Sequence, residues 1–293
     1  MRNKAWRSSP HHPTLGLGLL VAGLALIAGA ALWLALSGNS GIRYSADHVD
    51  TVPMWHRWIP ALTGLVFIRL LPPRTTSTGA APARGGLHLQ AILLLVSATL
   101  FAAGSWLSGG GEPAHTLLKL ILLLALPALL FWLPRRDSAD RSQIHERPAT
   151  WRHYGPVAPV TAWLALTYAG PLAVPSSNYA ARVDLVTLVL TIVVVFSVNS
   201  LLEEVFYRRW LQSRWEHIIG RWPAIVLTSL LWAAWHVGIQ GTGHLPTDLS
   251  SAFVNQGVQG LFLGYLWSRY RLMWPVLVVH GAMNAAPILL GML

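Results

Sequence analysis

The feature that most constrains this chain is a succession of long apolar runs, with the charges confined largely to the short segments between them. Charged residues make up 11% of the 293 positions and hydrophobic residues 54%, whereas roughly 25% of the residues in an ordinary soluble domain are charged. A soluble protein of this length needs much more polar surface, so lipid must solvate most of the chain. We therefore predict an all-α fold, a polytopic transmembrane helical bundle.

The apolar runs predict eight or nine membrane spans. They lie near 14–37, 56–71, 87–107, 116–133, 156–174, 184–203, 222–239, 251–268 and 272–291. The second run is short and bounded by prolines, which predicts a tilted or re-entrant element. The first run is longer than the apolar core of a signal peptide, so we expect it to be retained as a helix.

The positions of Arg and Lys predict the orientation in the membrane. If there are nine spans and the N-terminus is cytoplasmic, most of the 21 cations fall in cytoplasmic segments, as the positive-inside rule requires. We expect an integral protein of the plasma (inner) membrane with its C-terminus outside. The net charge of +10 therefore does not indicate a nucleic-acid partner, because the cations do not form a basic face along one surface.

The largest polar segment divides the chain. It is the basic loop 134–155, predicted to be cytoplasmic. We expect an N-terminal membrane region of about four spans at 1–150, and a second membrane domain at 151–293 that holds the unusual polar motifs. Cysteine is absent, which excludes disulfides, a thiolate nucleophile and Cys-ligated zinc.

The first polar motif is Glu203-Glu204-x-x-x-Arg208, at the end of an apolar run. An ionisable side chain at membrane depth is costly and is by default a candidate functional residue. Glu204 and Arg208 are four residues apart, so on a helix they share a face and can form an ion pair. Glu203 points about 100° away and is expected to stay available as a general base. The alternative is that both carboxylates pair with arginines at the cytoplasmic interface.

Two further motifs place polar side chains one helical turn apart. They are Trp232-x-x-x-His236 and His280-x-x-x-Asn284, each within an apolar helix. Hydrogen bonding inside the core or between helices is the structural alternative for each pair. Together with the two carboxylates, they predict a hydrolase site within the membrane.

At these residues the sequence resembles the CPBP family of CAAX proteases and bacteriocin-processing enzymes, also called the ABI family. Leu202 to Arg208 match its first motif and His280 to Asn284 its third, while Trp232 stands where the family usually has Phe. The resemblance covers about 185–291. It implies a glutamic-type intramembrane endopeptidase in which Glu203, assisted by His236, activates water. His280 and Asn284 would then stabilise the oxyanion, and Glu204 with Arg208 would organise the site.

The same resemblance implies the cofactors and partners. We expect no metal, because the spacing lacks a His-Glu-x-x-His helix. Zinc at Glu203, His236 and His280 is the alternative. The expected partners are the bilayer and a membrane-anchored protein or peptide: a prenylated CAAX-like chain, a leader peptide or a C-terminal sorting tail. The competing hypothesis is a non-catalytic CPBP-like membrane scaffold, immunity or transport protein.

The predicted depths of these residues in the membrane differ. At ~1.5 Å per helical residue, Glu203 lies ~8 Å from Arg208, His280 ~13 Å from Arg271 and His236 ~22 Å from Arg221. They can converge if the helix of Glu203 continues beyond the bilayer surface, or if Arg221 is recessed. We expect a cavity that opens to the cytoplasm.

Overall fold

The structure, a computed structural model, describes residues 13–45, 50–71, 86–132 and 154–292, and 82% of these residues are helical. The predicted all-α class is confirmed. Most of the predicted basic loop 134–155 lies outside the described residues, as do the cations of the first twelve residues and the segment 72–85. The predicted division into 1–150 and 151–293 stays a prediction.

The described helices follow one another in the order that the apolar runs predict. In chain order they are α1 Pro13–Leu36, α2 Met54–Leu70, α3 Leu87–Leu107, α4 Ala114–Trp132, α5 Val157–Tyr168, α6 Leu185–Ile219, α7 Arg221–Gln240, α8 245–270 and α9 Met273–Leu290. Short 3-10 turns, Gly170–Leu172 and Tyr179–Arg182, connect α5 to α6. Between α1 and α2, two strands that the sequence did not predict, β1 Gly41–Arg43 and β2 Thr51–Pro53, form an antiparallel hairpin.

Within the described residues, six helices are long and apolar enough to cross a membrane: α1, α3, α4, α6, α7 and α9. The predicted count of eight or nine spans is not confirmed. Helix α2 has 17 residues and α5 has 12, and α8 carries the buried polar residues Asn255, Gln256 and Gln259. Because α8 is enclosed by other helices, the side-chain amides of Asn255 and Gln259 bond to protein groups at both their oxygen and their nitrogen, and such a helix needs no apolar composition.

Side-chain contacts define the two ends of the bundle. At the hairpin end, which we define by β1, β2 and residues 241–244, Arg43 Nη1 donates to the carbonyl of Gln240 at 3.1 Å. At the opposite end, which we call the arginine end and define by the α6–α7 and α8–α9 connections, Arg269 Nη2 donates to the carbonyl of Leu71 at 3.2 Å. The chain thus passes back and forth between the two ends.

Helix α6 is the longest element, with 35 residues. At ~1.5 Å per residue it extends ~50 Å, well beyond the ~30 Å hydrocarbon core of a bilayer. Asp184 caps its start by accepting from the backbone N–H groups of Val186 and Thr187 at 2.9 and 3.0 Å. Arg208 lies in the middle of this helix and is fully buried, so it marks no membrane interface. Because α6 continues beyond Arg208 to Ile219, Glu203 lies far enough from the end of its helix to reach the depth of His236, and the predicted difference in depth between the two residues disappears.

The N-terminal helices pack directly on the C-terminal ones. Gly238, near the end of α7, lies so close to α3 that an added Cβ would meet the backbone of Ser105 at 2.7 Å. This contact requires glycine and brings α3 and the start of α4 beside the polar end of α7. The N-terminal region therefore contributes one wall of the region around the motifs.

Candidate active site

Glu203 is buried at the junction of three helices, with 1% of its side chain exposed. From α4, Lys119 Nζ donates to Glu203 Oε1 at 2.8 Å. From α7, Trp232 Nε1 donates to Oε2 at 2.7 Å. Glu203, which we expected to stay available as a general base, thus has an ionic partner that the sequence analysis did not identify, because Lys119 of α4 is buried beside it. Lys119 also donates to Asn199 Oδ1 at 2.7 Å.

Glu204 makes the predicted ion pair with Arg208, one turn along α6, with 3.3 Å between Oε2 and Nε. Its other oxygen, Oε1, lies 2.8 Å from His280 Nδ1 on α9. The guanidinium of Arg208 also lies over the ring of Trp232, 5.4 Å from its centroid. Among the described residues its Nη1 and Nη2 have no hydrogen-bond partner. These two donors are suited to ordered water, which commonly satisfies buried polar groups.

The helix is irregular around the two carboxylates. Glu203 and Glu204 belong to a short α-helical stretch, Leu202–Glu204, between two π-helical segments, Phe196–Leu201 and Val205–Gln212. The wider winding of a π segment shifts the side chains that follow it around the helix, and such segments are frequent at functional sites. The two carboxylates point about 100° apart as neighbours on a helix, and they contact different helices: Glu203 meets α4 and α7, and Glu204 meets α9.

His236 lies on α7, one turn from Trp232. Its Nδ1 is 2.9 Å from the carbonyl oxygen of Trp232. A carbonyl can only accept, so Nδ1 carries the hydrogen, and Nε2 of the neutral ring is an acceptor. The imidazole stacks on Trp235, with ring centroids 3.8 Å apart, and meets Trp232 edge to face at 5.0 Å.

His280 and Asn284 form two contacts between α9 and α6. The first joins His280 to Glu204, and in the second Asn284 Nδ2 donates to Ser200 Oγ at 3.0 Å. His280 Nε2 is 4.0 Å from Glu203 Oε2, too far for a direct hydrogen bond. The structure thus brings Glu203 and His280 to one place, and Asn284 lies one turn away.

Two functional candidates on α4 were missed by the sequence reasoning. Lys119 pairs with Glu203, and His115, one turn earlier, lies 3.2 Å from Ser105 Oγ and 5.3 Å from the ring of Trp235. Lys119 Nζ also lies 4.6 Å from the Trp235 centroid. The rule that singled out the two glutamates, a charge at membrane depth, applies equally to Lys119.

The expectation of no metal, with zinc at Glu203, His236 and His280 as the alternative, stays a prediction. Within the described residues, no three His, Asp or Glu side chains have the arrangement needed to hold a metal. The ammonium of Lys119 contacts Glu203 and would repel a cation placed there.

A cavity of about 270 Å³ opens at the hairpin end and reaches His236. Its mouth is lined by exposed residues of the hairpin and of the α7–α8 connection, among them Asn39, Thr51 and Thr242. Its floor includes His236 and Val237, which are buried. We expected a cytoplasmic opening, but in the predicted orientation the hairpin end is the outer one.

Residues 185–286 match the family model described as type II CAAX prenyl endopeptidase Rce1-like. The chain carries an Rce1-like segment of the CPBP family. The predicted resemblance is confirmed, and all seven predicted site residues lie in the Rce1-like segment. Together with the apolar helices, the match makes this an integral membrane protein and implies a membrane protease. The chain has no significant match among curated proteins or solved structures. Lys119 and the β-hairpin lie outside the Rce1-like segment.

Proposed function

We propose that the protein is a glutamic-type intramembrane endopeptidase that hydrolyses a peptide bond with water activated at Glu203. The observation that carries the proposal is the placement of Glu203. It is buried among α4, α6 and α7, each of its oxygens is held by one donor, and the two imidazoles of His236 and His280 flank Trp232.

The attacking water would bind between Glu203 and His236. A carboxylate oxygen accepts more than one hydrogen bond, so the contacts with Lys119 and Trp232 leave capacity for a water molecule. Glu203 takes one proton as the water oxygen bonds to the scissile carbonyl carbon. It returns that proton to the amide nitrogen as the C–N bond breaks, which releases the amine and a carboxylic acid. The acceptor Nε2 of His236 would orient the water.

The developing oxyanion would be stabilised from α9. His280 gives Nδ1–H to Glu204, which fixes the ring so that Nε2 faces the Glu203 side, and it donates there when doubly protonated. The amide of Asn284 has a second hydrogen beyond the one bonded to Ser200. A donor of this kind in a dry site typically contributes about 3–4 kcal/mol to transition-state stabilisation.

Lys119 would hold Glu203 in its ionised, acceptor form. The ion pair is buried on both sides, where a charge is stable only with a partner. This cation supports a mechanism that uses no metal, because it already provides the positive charge beside the carboxylate. On this proposal, the N-terminal region takes part in catalysis.

The family description supports one candidate substrate class, since type II CAAX prenyl endopeptidases act on prenylated CAAX proteins by name. For this chain we propose a membrane-anchored protein or peptide: a prenylated CAAX-like chain, a leader peptide or a C-terminal sorting tail. We place the protein in the plasma membrane with its N-terminus in the cytoplasm, as the distribution of cations predicts.

The test is a comparison of protein termini in membranes from cells that carry the native chain or its variants. The inactive variants are Glu203→Gln and the double variant Lys119→Met with Glu203→Gln, which leaves no unpaired buried charge. The matched control is Glu216→Gln, the same substitution on the same helix, where the carboxylate accepts from Gln212 at 2.8 Å. We expect new termini with the native chain and the control, and none with either inactive variant.

Identical sets of termini from folded and abundant native and Glu203 variants would refute the protease. The competing hypothesis, a non-catalytic scaffold, immunity or transport protein, would then hold.

A further inference from the structure

Two side chains of the site, His236 and Lys119, lie closer to the hairpin end of their helices than to the arginine end. On α7, His236 precedes Gln240 by four residues, ~6 Å, and follows Arg221 by ~22 Å along the helix. On α4, Lys119 is five residues, ~8 Å, from the start at Ala114 and ~20 Å from Trp132. The shortest route from solvent to these side chains therefore starts at the hairpin end.

The opposite route is filled by side chains. From the carboxylates toward the arginine end, α6 presents Arg208, Leu211 and Gln212, each with no exposed surface. Gln212 Nε2 ties this layer to α8 by donating to the carbonyl of Gly264 at 2.8 Å. Glu216, one turn further, accepts from the same amide and contacts Arg271. Within the described part of the chain, these buried side chains form a packed layer between the carboxylates and the arginine end.

The chemistry of the cavity suits a polypeptide. Among its lining residues, the one carboxylate is that of Asp248. It accepts hydrogen bonds from the backbone N–H and the hydroxyl of Thr242, at 2.8 and 2.9 Å, and from the backbone N–H of Gly243 at 3.1 Å. These bonds within the α7–α8 connection already pair the charged group. The other polar side chains of the wall are Arg43 and uncharged amides and hydroxyls, including Asn39 and Ser251. An extended peptide exposes N–H and C=O groups that need such partners.

We propose that this cavity is the entrance through which an extended segment of the substrate reaches His236 and Glu203. The inference rests on the proposed protease function, and it restricts the substrates of that protease by the side of the membrane on which they are cleaved. The cleaved segment must lie at the hairpin end. Because most of the cations lie in segments predicted at the other end, the positive-inside rule puts the hairpin end outside the cytoplasm. The substrate is thus a membrane-anchored protein with its cleaved segment on the outer face, and a cytoplasmic prenylated C-terminus does not fit.

The natural absence of cysteine allows a direct test with single-cysteine variants of the full chain. Ser251→Cys places a thiol in the cavity wall. Ser37→Cys is the matched control, an exposed serine at the same end that does not line the cavity, and Arg221→Cys marks the arginine end. Intact cells are treated with a bulky, membrane-impermeant maleimide. We expect labelling at positions 251 and 37 and none at 221.

Activity is then read in the same cells as the abundance of the termini that depend on Glu203. For Ser251→Cys, the labelled sample is compared with the unlabelled sample of the same variant, and we expect loss of these termini on labelling. For Ser37→Cys, labelling should change nothing. If labelled Ser251→Cys keeps producing the termini, the entrance is refuted and the protease stands. Labelling at 221 but not at 251 and 37 refutes the outer-face substrate. Absence of Glu203-dependent termini in the native chain refutes the protease itself, which separates that failure from the other two.

Discussion

Replacing Lys119 with Met tests the ion pair on which the proposed site depends. Methionine keeps an unbranched side chain of similar length and removes the charge together with the hydrogen bonds to Glu203 and Asn199. Glu203 would retain the bond from Trp232 but would become an uncompensated charge in a site with 1% exposure. Breaking a buried ion pair by removing one partner typically costs about 3–5 kcal/mol in the free energy of unfolding. Loss of the cation contact over Trp235 adds to that cost.

The second substitution distinguishes the ion pair from simple packing. When Lys119→Met is combined with Glu203→Gln, no charge remains unpaired. Replacing both members of a buried pair by uncharged groups of similar volume is often nearly neutral. We therefore expect the double variant to recover most of the stability lost by Lys119→Met, although it remains inactive. The pair should thus show a favourable coupling energy of about 3 kcal/mol in a double-mutant cycle.

The measurement is unfolding of the purified protein by SDS in mixed micelles, followed by tryptophan fluorescence. The control is Arg271→Met, which removes a cation from the pair with Glu216, where the arginine side chain is 26% exposed. Because Glu216 keeps the bond from Gln212 and the arginine side of the pair is open to solvent, this control should cost less stability than Lys119→Met. A loss below about 1 kcal/mol for Lys119→Met would contradict the reasoning, because a solvated carboxylate needs no partner. The reasoning would also be contradicted if the stability losses of the two single variants, Lys119→Met and Glu203→Gln, simply added up in the double variant.

Three further outcomes are expected. Gly238→Ala should destabilise the protein by about 1–3 kcal/mol, because the new Cβ overlaps the α3 backbone, whereas Gly29→Ala, which meets nothing within 4 Å, should be neutral or slightly stabilising in the same SDS unfolding assay. Asn284→Ala should lower kcat by ~10²–10³ with little change in KM if the amide stabilises the oxyanion, and a rise in KM alone would exclude that role. Hydrogen bonds from the side chain and backbone of Thr187 lower the pKa of Asp184 below its ordinary 3.8, so Asp184 stabilises the fold above that value and ceases to as the pH falls through its lowered pKa. In thermal unfolding at a series of acidic pH values, Asp184→Asn should abolish this part of the decline.

Local periodicity accounts for the part of the site that the sequence predicted. The pair Glu204–Arg208 follows from four-residue spacing on a helix, and the structure has it at 3.3 Å. His280 and Asn284 are on one face for the same reason, and both contact α6. The apolar runs likewise place the helices in the right order, because insertion into lipid depends on the composition of each segment alone.

The pairing of Lys119 with Glu203 could not be read in this way. It joins residues 84 positions apart, and no spacing rule reaches that distance. The predicted span at 251–268 is not confirmed, since α8 is not among the helices that are long and apolar enough to cross a membrane; its polar residues are hidden by neighbouring helices, which the composition of one segment does not reveal. The hairpin, which forms the cavity mouth, is too short to give a periodic signal.

The sequence by itself determined that the chain is a helical membrane protein and which side chains share a helix face. The tertiary structure decided which helices are neighbours, and so which charge meets Glu203 and which end of the bundle opens to His236. The physical reason is that lipid is as apolar as the helix surfaces, so burial in the bilayer does not select between neighbours. Close contacts such as Gly238 against α3 and buried polar pairs make that selection, and both require two parts of the chain to be in place at once.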